Sequence, residues 1–490
     1  MKPAVLNDDT IAALITPPGE GGVAVLRISG PDAFKIAAAV FKSKNEKTVD
    51  SFETHTIHLG EIYSPRSASP GEHGGGVNSE CSPPLAGGLR RGDVLDQALL
   101  SIFRAPQSYT GEDVIELGLH GGMVLASKVL AVILAEGARF AEPGEFTRRA
   151  FLNGKIDLTQ AEAVLDLIKA KSGLSIQTAV RQLGGELSAR FKKLKDRLMK
   201  LYAHMEAFLD FPDEDLEVYS DGEMAQGLRA VRDEIQQLIQ SFERGSLLRE
   251  GALLVIAGKP NVGKSSLFNA LLERDRALVS EFAGTTRDTL EEWLEIQGLA
   301  VRLADTAGLM LNAPHPLDAM GVERAKQSLR AADAYLFILD GTCSPSEEDF
   351  SAWKSLEPGR PVIGILNKSD LGIRLSAQAL QGFSSEIDWL EISSKNRSGF
   401  ERVEEKIFKT LVGKNTESAG EQITRVRHKR ALESALEALT RSEKAFKSRA
   451  SLELVTLDLK IAIDALRELI GEVYSEDLLD VIFSEFCIGK

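Results

Sequence analysis

The chain has 490 residues, 58 basic against 72 acidic side chains for a net charge of −14, and 43% hydrophobic residues. That length predicts about three domains with ample apolar matter for several cores, and the acidic balance excludes a protein that coats nucleic acid indiscriminately, leaving only targeted RNA contact. Cys81, Cys343 and Cys487 stand far apart with no Cys-x-x-Cys spacing, and there is neither a signal-type apolar region at the start nor a run of about 18 apolar residues. A disulfide framework, a zinc site and a membrane span are therefore not expected, and a cytoplasmic protein is.

Residues 1–155 alternate β-rich runs, such as Gly22 to Ile28 and Leu99 to Phe103, with a helical stretch over 123–136, which predicts an α+β domain. Within it, 64–92 is rich in Ser, Pro and Gly and too poor in apolar residues to bury anything, so a mobile surface insertion is expected there. A helical part over 156–249 follows. Thr159 with Glu162 reads as a capping box, and Ile176, Val180, Leu183, Leu187, Phe191, Leu194, Leu198, Leu201, Met205 and Phe208 form the stripe of one long packed helix.

The apolar run Leu253 to Ala257 leads into Gly258-Lys259-Pro260-Asn261-Val262-Gly263-Lys264-Ser265 and then into a helix start at Ser266. Strand, glycine-rich turn and helix in that order are the context that makes a phosphate-loop pattern a structural claim. Backbone N–H groups and the helix end would cradle phosphate, Lys264 would reach the β/γ oxygens, and Ser265 would ligate Mg²⁺. Ser280 to Asp288 occupies the first switch position, where Thr286 would complete the Mg²⁺ shell. Asp305-Thr306-Ala307-Gly308 follows a strand, its Asp serving Mg²⁺ through water and its Gly the γ-phosphate. After Gly308 comes Leu309, which cannot position water, so hydrolysis must recruit another polar group. Arg287 reads equally as an arginine finger or as a structural residue beside Asp288.

Asn367-Lys368-Ser369-Asp370 ends a second buried run, Val362 to Leu366. The Asp370 carboxylate can accept from the N1–H and exocyclic amine of guanine, which identifies the nucleotide as GTP, and Ser393-Ser394-Lys395 would close over the base edge. The GTPase unit, of Ras-like α/β type, spans 250–415. A second helical part, 416–490, repeats the apolar stripe at Leu452, Val455, Leu459, Ile463, Leu466 and Ile470, so the GTPase unit reads as an insertion into one helical domain. Basic runs at Arg425 to Arg430 and from Lys192 to Lys200 are candidate nucleic-acid contacts or solvated helix faces.

Several further motifs carry a family resemblance: Thr16-Pro17-Pro18-Gly19, Leu26-Arg27-Ile28-Ser29-Gly30, Thr110-Gly111-Glu112-Asp113, Pro143-Gly144-Glu145-Phe146, Gly245 to Gly251, and the terminal Phe486-Cys487-Ile488-Gly489-Lys490. With the GTPase motifs they make the chain resemble, over essentially its whole length, the MnmE or TrmE family of tRNA-modifying GTPases. The resemblance implies a multidomain α+β architecture with an N-terminal domain that dimerises and binds 5,10-methylene- or 5-formyl-tetrahydrofolate. It also implies a partner flavoprotein of the MnmG or GidA type that uses FAD and NADH, assembled as a heterotetramer or larger complex. The chemistry implied is installation of a carboxymethylaminomethyl-type group on C5 of the wobble uridine of certain tRNAs.

Carried over by motif, Arg27, Glu116, Lys155 and Lys490 are folate contacts, and Asn261, Ser280, Phe282 and Thr285 are K⁺ ligands, while Ser265 and Thr286 hold Mg²⁺. Asn261 also reads as a turn-stabilising residue. Cys487 reads either as a nucleophile or as a small packing residue. The family's water-orienting Glu corresponds to Asp318, one methylene shorter in a loop one residue longer, with Glu323 a possible substitute. Two other classes share the GTPase unit: an assembly or translation GTPase, and a folate-dependent methyltransferase regulated by GTP. Folate binding separates the first from the family reading, and methyl transfer without a flavin partner would mark the second.

Overall fold

The computed structural model describes residues 9–64, 92–210, 220–275, 291–305, 327–384, 387–413 and 421–490. The insertion expected over 64–92 lies almost wholly outside these residues. The chain divides into two compact units, one of Met1–Leu165 with Val473–Lys490, the other of Asp166–Glu472.

The first unit is built on a sheet whose order among the described residues is β3-β4-β5-β6-β2-β1-β7. The strands are β1 (Ile11–Leu14), β2 (Val23–Ser29), β3 (Phe41–Ser43), β4 (Thr56–Tyr63), β5 (Val94–Phe103), β6 (Val114–His120) and β7 (Arg139–Phe140). All neighbours are antiparallel except β1 with β7. Helices α1 (Ala33–Val40) and α2 (Met123–Ala135) cover one face, where Leu26, Ile28, Leu100, Ile102, Ile115 and Leu117 are fully buried. Alternation sends Arg27 and Glu116 to the opposite face, directly paired in register. α3 (Glu145–Leu152) and the first part of α4 (Leu158–Lys169) complete the unit with the last helix, α14 (Glu476–Ser484), because Leu479, Ile482, Phe483 and Phe486 share a core with Phe151, Leu158, Ala161 and Leu165.

The stretch expected to form one long helix is three: α4, α5 (Gly173–Leu183) and α6 (Glu186–Asp210). Gly184 and Gly185 interrupt it, Gly185 at φ +89°, where a side chain would be strained. Ile176 and Val180, before this break, are about half exposed and Phe208 at the far end is 39% exposed, while the stripe from Leu187 to Met205 is buried as expected. The cap of α4 is also shifted from Thr159 to Asp157. Asp157 Oδ1 accepts from the Gln160 N–H at 3.1 Å and from the Thr159 hydroxyl at 2.6 Å, and the Asp157 N–H donates to Gln160 Oε1 at 3.0 Å. An Asp in the N-cap position with Gln three residues on does what the Thr159–Glu162 pair was expected to do.

In the second unit, α6, α7 (Asp221–Gln240), α12 (Val426–Lys447) and α13 (Leu452–Ile470) share one core that includes Phe191, Leu198, Ile235, Leu439, Leu459 and Leu466. α8 (Phe242–Glu250) leads into a second sheet of order β13-β12-β11-β8-β10-β9, parallel except for the β9–β10 hairpin. Its strands are β8 (Ala252–Ala257), β9 (Glu291–Ile296), β10 (Leu299–Asp305), β11 (Ala334–Asp340), β12 (Val362–Asn367) and β13 (Trp389–Glu391), with α9 (Lys264–Asp275), α10 (Glu347–Lys354) and α11 (Phe400–Val412) between or after them. All of β8 is buried, as a central parallel strand demands. The chain leaves β8 for β10 on one side and later for β11 on the other, so the carboxyl end of β8 is a topological switch point, where such sheets take their ligands.

Candidate functional site

The turn at that switch point is shaped by its glycines. Gly258 has φ +148° and a Cβ there would lie 2.5 Å from the Ile338 carbonyl oxygen; Gly263 has φ +101° and its Cβ would lie 2.2 Å from Asn367 Nδ2. Both conformations are ones that glycine alone adopts without strain, and neither place has room for a side chain. Asn261, exposed, takes the left-handed conformation at φ +65°, which Asn tolerates well. Val262 is buried beneath the loop and Ser266 is exposed in the first turn of α9.

Lys264 is 6% exposed and its Nζ donates to the carbonyls of Gly258 at 2.9 Å and Lys259 at 2.8 Å. Burial holds this amine below the usual lysine range, against the pull of the Asp305 carboxylate. Ser265 Oγ donates to Asp305 Oδ2 at 3.0 Å. A hydroxyl and a carboxylate this close are oxygen ligands suited to a hard divalent cation, and the buried lysine and the helix start are the positive groups suited to a phosphate chain.

On the base side, Asn367 is 2% exposed and joins three segments. Its Nδ2 donates to the Val262 carbonyl at 2.8 Å, and its Oδ1 accepts from the Ser394 N–H at 3.1 Å and the Ser394 hydroxyl at 3.0 Å. The Ser393 hydroxyl donates to Asp370 Oδ1 at 2.7 Å and accepts from the Asn396 N–H. Lys368, at φ +67°, places Nζ 2.6 Å from Asp340 Oδ2. Although burial pushes the Asp340 carboxyl up, its bonds from Lys368 and Thr342 hold it below the ordinary range. Lys395 is exposed beside the loop. The structure thus brings together Val262, Gly263, Lys264, Ser265, Asp305, Asn367, Lys368, Asp370, Ser393 and Ser394. Ser280, Phe282, Thr285, Thr286, Thr306, Ala307, Gly308 and Asp318 lie outside the described residues. Asp340 is a partner the motifs did not reveal.

A second polar cluster lies on the first unit. Arg27 donates to Glu116 Oε1 through Nε at 2.8 Å, and its guanidinium lies over the rings of Tyr109 and Phe146, 5.1 and 5.5 Å from their centres. The C-terminal residues return to this place: Pro143 bridges to Ile488, and the Phe146 N–H donates to the Lys490 carbonyl at 3.1 Å. Burial first, then the Arg27 guanidinium, hold the Lys490 amine below the usual range, opposed by Glu116 and Cys487. The Gly144 N–H also donates to the Cys487 carbonyl at 3.4 Å, so Cys487, exposed, and Lys490 both meet the Gly144–Phe146 segment over whose Phe146 ring Arg27 lies. Exposed Lys155 donates to the Pro106 carbonyl at 2.9 Å and lines a pocket of ≈ 500 Å³ with His55, Phe103, Gln107, Ser108 and Tyr109. Behind the cluster, the Arg149 side chain, 4% exposed, is ringed by Asp9, Glu112 and Glu145.

The basic runs are divided by the structure. Arg425 is 9% exposed and pairs with Asp166 at 2.6 Å, and Arg427 donates to the Glu468 and Leu469 carbonyls at the end of α13. These two are structural, a distinction that charge pattern alone cannot make. Lys193 and Lys200 on α6 remain exposed. Among the described residues no helix is long and apolar enough to cross a membrane.

The family model described as "GTP-binding protein TrmE N-terminus" matches residues 10–155 and that described as "MnmE helical domain" matches residues 158–487. A tRNA modification GTPase MnmE of Moorella thermoacetica is 42% identical over 488 residues, covering 99% of this chain and all of that protein. Those of Heliobacterium modesticaldum and Thermoanaerobacter pseudethanolicus are 40% and 38% identical, each covering 98% of this chain and 99% of the relative. With the phosphate loop and the guanine-reading loop joined through Asn367, this chain belongs to the MnmE family of tRNA modification GTPases.

Proposed function

We propose that this GTPase, working with a flavoprotein of the MnmG type that carries FAD and uses NADH, installs an aminomethyl-type group on C5 of the wobble uridine of certain tRNAs, with a one-carbon tetrahydrofolate bound at the Arg27 cluster. The observation that carries the reading is the docking of the Cys487–Lys490 tail on the Pro143–Phe146 segment, beside the paired Arg27 and Glu116, which brings both ends of the chain together. The donor set suits a folate: a carboxylate for an amine-bearing heterocycle edge, aromatic faces at Tyr109 and Phe146, and cations for a carboxylate tail. Lys155 and Lys490 are those cations. The folate supplies the one-carbon unit. This chain's residues hold and orient it, and the exposed Cys487 thiol stands beside the cluster as a nucleophile.

For hydrolysis, Lys264 neutralises β/γ-phosphate charge, and its burial strengthens that interaction. Ser265 and Asp305, the Asp through water, would hold Mg²⁺ together with Thr286, and the ion would supply positive charge to the phosphates. Asn261, Ser280, Phe282 and Thr285 would hold K⁺, which supplies the positive charge an arginine finger gives elsewhere, an effect of about 10³–10⁵ in rate in finger-using enzymes. Asp318 orients the attacking water.

A homodimer is part of this reading. Ile57, Leu59 and Leu99 are 66%, 44% and 49% exposed on one face of β4 and β5. Leu59 and Leu99 pair in register, and two residues on, Ser101 pairs with Glu116 and Glu116 with Arg27. A second copy covering this apolar face would flank the ligand cluster.

The test has two arms. GTP hydrolysis in KCl should exceed that in NaCl at equal ionic strength by at least tenfold; equal rates would refute the K⁺ role. 5-Formyl-tetrahydrofolate should bind the intact protein and fail to bind Arg27→Met; no binding to the intact protein would favour an assembly GTPase instead.

A further inference from the structure

Two carboxylates outside the nucleotide-binding motifs stand on the connection from β11 to α10, Asp340 at its start and Asp349 within the first turn of the helix. Asp349 is 1% exposed, and its Oδ2 accepts from Lys259 Nζ at 2.7 Å as well as from the Ser346 N–H and hydroxyl, each at 2.8 Å. Its Oδ1 is buried with no hydrogen-bond partner among the described residues. The buried negative charge therefore depends on Lys259 for its counterion. Lys259 belongs to the phosphate loop, its amine also donates to Ser346 Oγ at 3.1 Å, and its backbone carbonyl is one of the two that hold Lys264 Nζ. At the other end of the connection, Asp340 Oδ1 is fixed by the N–H and hydroxyl of Thr342 while Oδ2 holds Lys368 of the guanine-reading loop at 2.6 Å.

We propose that the β11–α10 connection sets the spacing between the phosphate loop and the guanine-reading loop, with Asp349 and Asp340 as positioning residues that act through Lys259 and Lys368. Neither carboxylate touches the nucleotide in this scheme. Asp349 anchors the side chain of Lys259, so the carbonyl that steadies Lys264 stays in place. Asp340 anchors Lys368, whose left-handed backbone turns the chain toward Asp370. A capping role for Asp349 explains its bonds from Ser346 but not why a phosphate-loop amine reaches it.

The inference rests on guanine-nucleotide binding, which the unaltered protein reports in the same titration. Lys259→Met leaves the cap of α10 intact and is the main variant. With the full chain and a fluorescent GDP analogue, its Kd should rise about tenfold, with KM for GTP rising in step and kcat changing less than twofold. Lys259→Arg should restore most of the affinity, and Lys259→Met with Asp349→Asn should bind no worse than Lys259→Met alone. Asp340→Asn should weaken GDP and GTP by a similar factor. Affinities within twofold of the unaltered protein for both Lys259→Met and Asp340→Asn would overturn the proposal, as would a lowered melting temperature without any change in affinity.

Discussion

The side-chain amide of Asn367 donates to the backbone carbonyl of Val262 at 2.8 Å, tying the guanine-reading loop to the middle of the phosphate loop. Because the same side chain also accepts from Ser394, one residue fixes three segments that come from distant parts of the chain. Asn367→Ala would leave a buried carbonyl and the Ser394 N–H without partners, at about 1–3 kcal/mol each. Affinity for GTP and GDP should both fall about 10- to 100-fold. Asn367→Asp, which cannot donate to Val262, should lose nearly as much. Equilibrium titration with a fluorescent nucleotide checks both.

Asp370 is held by the Ser393 hydroxyl at 2.7 Å, which leaves its second oxygen to accept from a base. Asp370→Asn would exchange an acceptor for a donor. Competition assays should show GTP affinity falling by at least 10²-fold and xanthosine triphosphate gaining, since that base offers a carbonyl where guanine has an amine. Unchanged preference for GTP would show that another group reads the base.

Much of this site was legible because each motif follows a buried parallel strand. The burial of β8, β11 and β12 and the turn after each are local features, written in runs such as Leu253 to Ala257 and Val362 to Leu366. What joins the motifs is not local. Nothing near Lys368 in the chain points to Asp340, and nothing near Lys259 points to Asp349, because those pairs exist only once the strands stand side by side. Periodicity likewise ran through Gly184 and Gly185 without registering the break between two helices, and Ile176 and Val180 read as core although they are exposed. Composition could not separate Arg425 and Arg427, which serve the helical core, from Lys193 and Lys200, which face solvent.

Gly263→Ala is expected to be severe for a steric reason that charge cannot mend. The new methyl would sit 2.2 Å from Asn367 Nδ2 at a φ of +101°. Relief requires the loop or the Asn367 side chain to shift, and either movement breaks the bond to Val262. Nucleotide binding should fall below detection at micromolar protein, while far-UV circular dichroism stays close to that of the unaltered chain. Ala at Gly359, which has open space around it, is the matched control for a positive-φ glycine, losing only a fraction of stability and no affinity.

The pairing of Asp9 and Glu145 with Arg139 and Arg149 gives the first unit an acid limit. In Asp9 and Glu145 burial works to raise the carboxyl pKa, but hydrogen bonds and charge from Arg139 and Arg149 win and lower it from 3.8 and 4.5 respectively. Groups whose folded pKa is depressed stabilise fully above their unfolded values and lose that contribution as pH falls through the folded ones. Thermal stability should therefore be flat with respect to these groups down to about pH 5 and decline below 4.5 and 3.8. Arg149→Met should reduce this acid dependence and lower stability at pH 7 by about 1–3 kcal/mol, since it removes charge-assisted hydrogen bonds from partly buried carboxylates, of which Asp9 and Glu145 keep Arg139 as a partner.

The C-terminal Lys490 can reach the Arg27 cluster only because Gly489 takes φ +97° against the backbone of Leu14. A Cβ on residue 489 would lie 2.4 Å from the Leu14 carbonyl oxygen and 3.0 Å from Ile15 Cα, both main-chain atoms that cannot swing aside. Gly489→Ala must therefore lift the last residues off β1 and break the bond from the Phe146 N–H to the Lys490 carbonyl. If the cluster binds a folate, this variant should bind 5-formyl-tetrahydrofolate at least tenfold more weakly in a calorimetric titration. GTP hydrolysis should be unchanged, because the substitution touches nothing in the nucleotide site. Ile488→Ala, a cut at a side chain that is 46% exposed, should leave both activities intact and so separate the glycine's conformation from mere disturbance of the tail. Full folate affinity in Gly489→Ala would mean that Lys490 is not part of the ligand site.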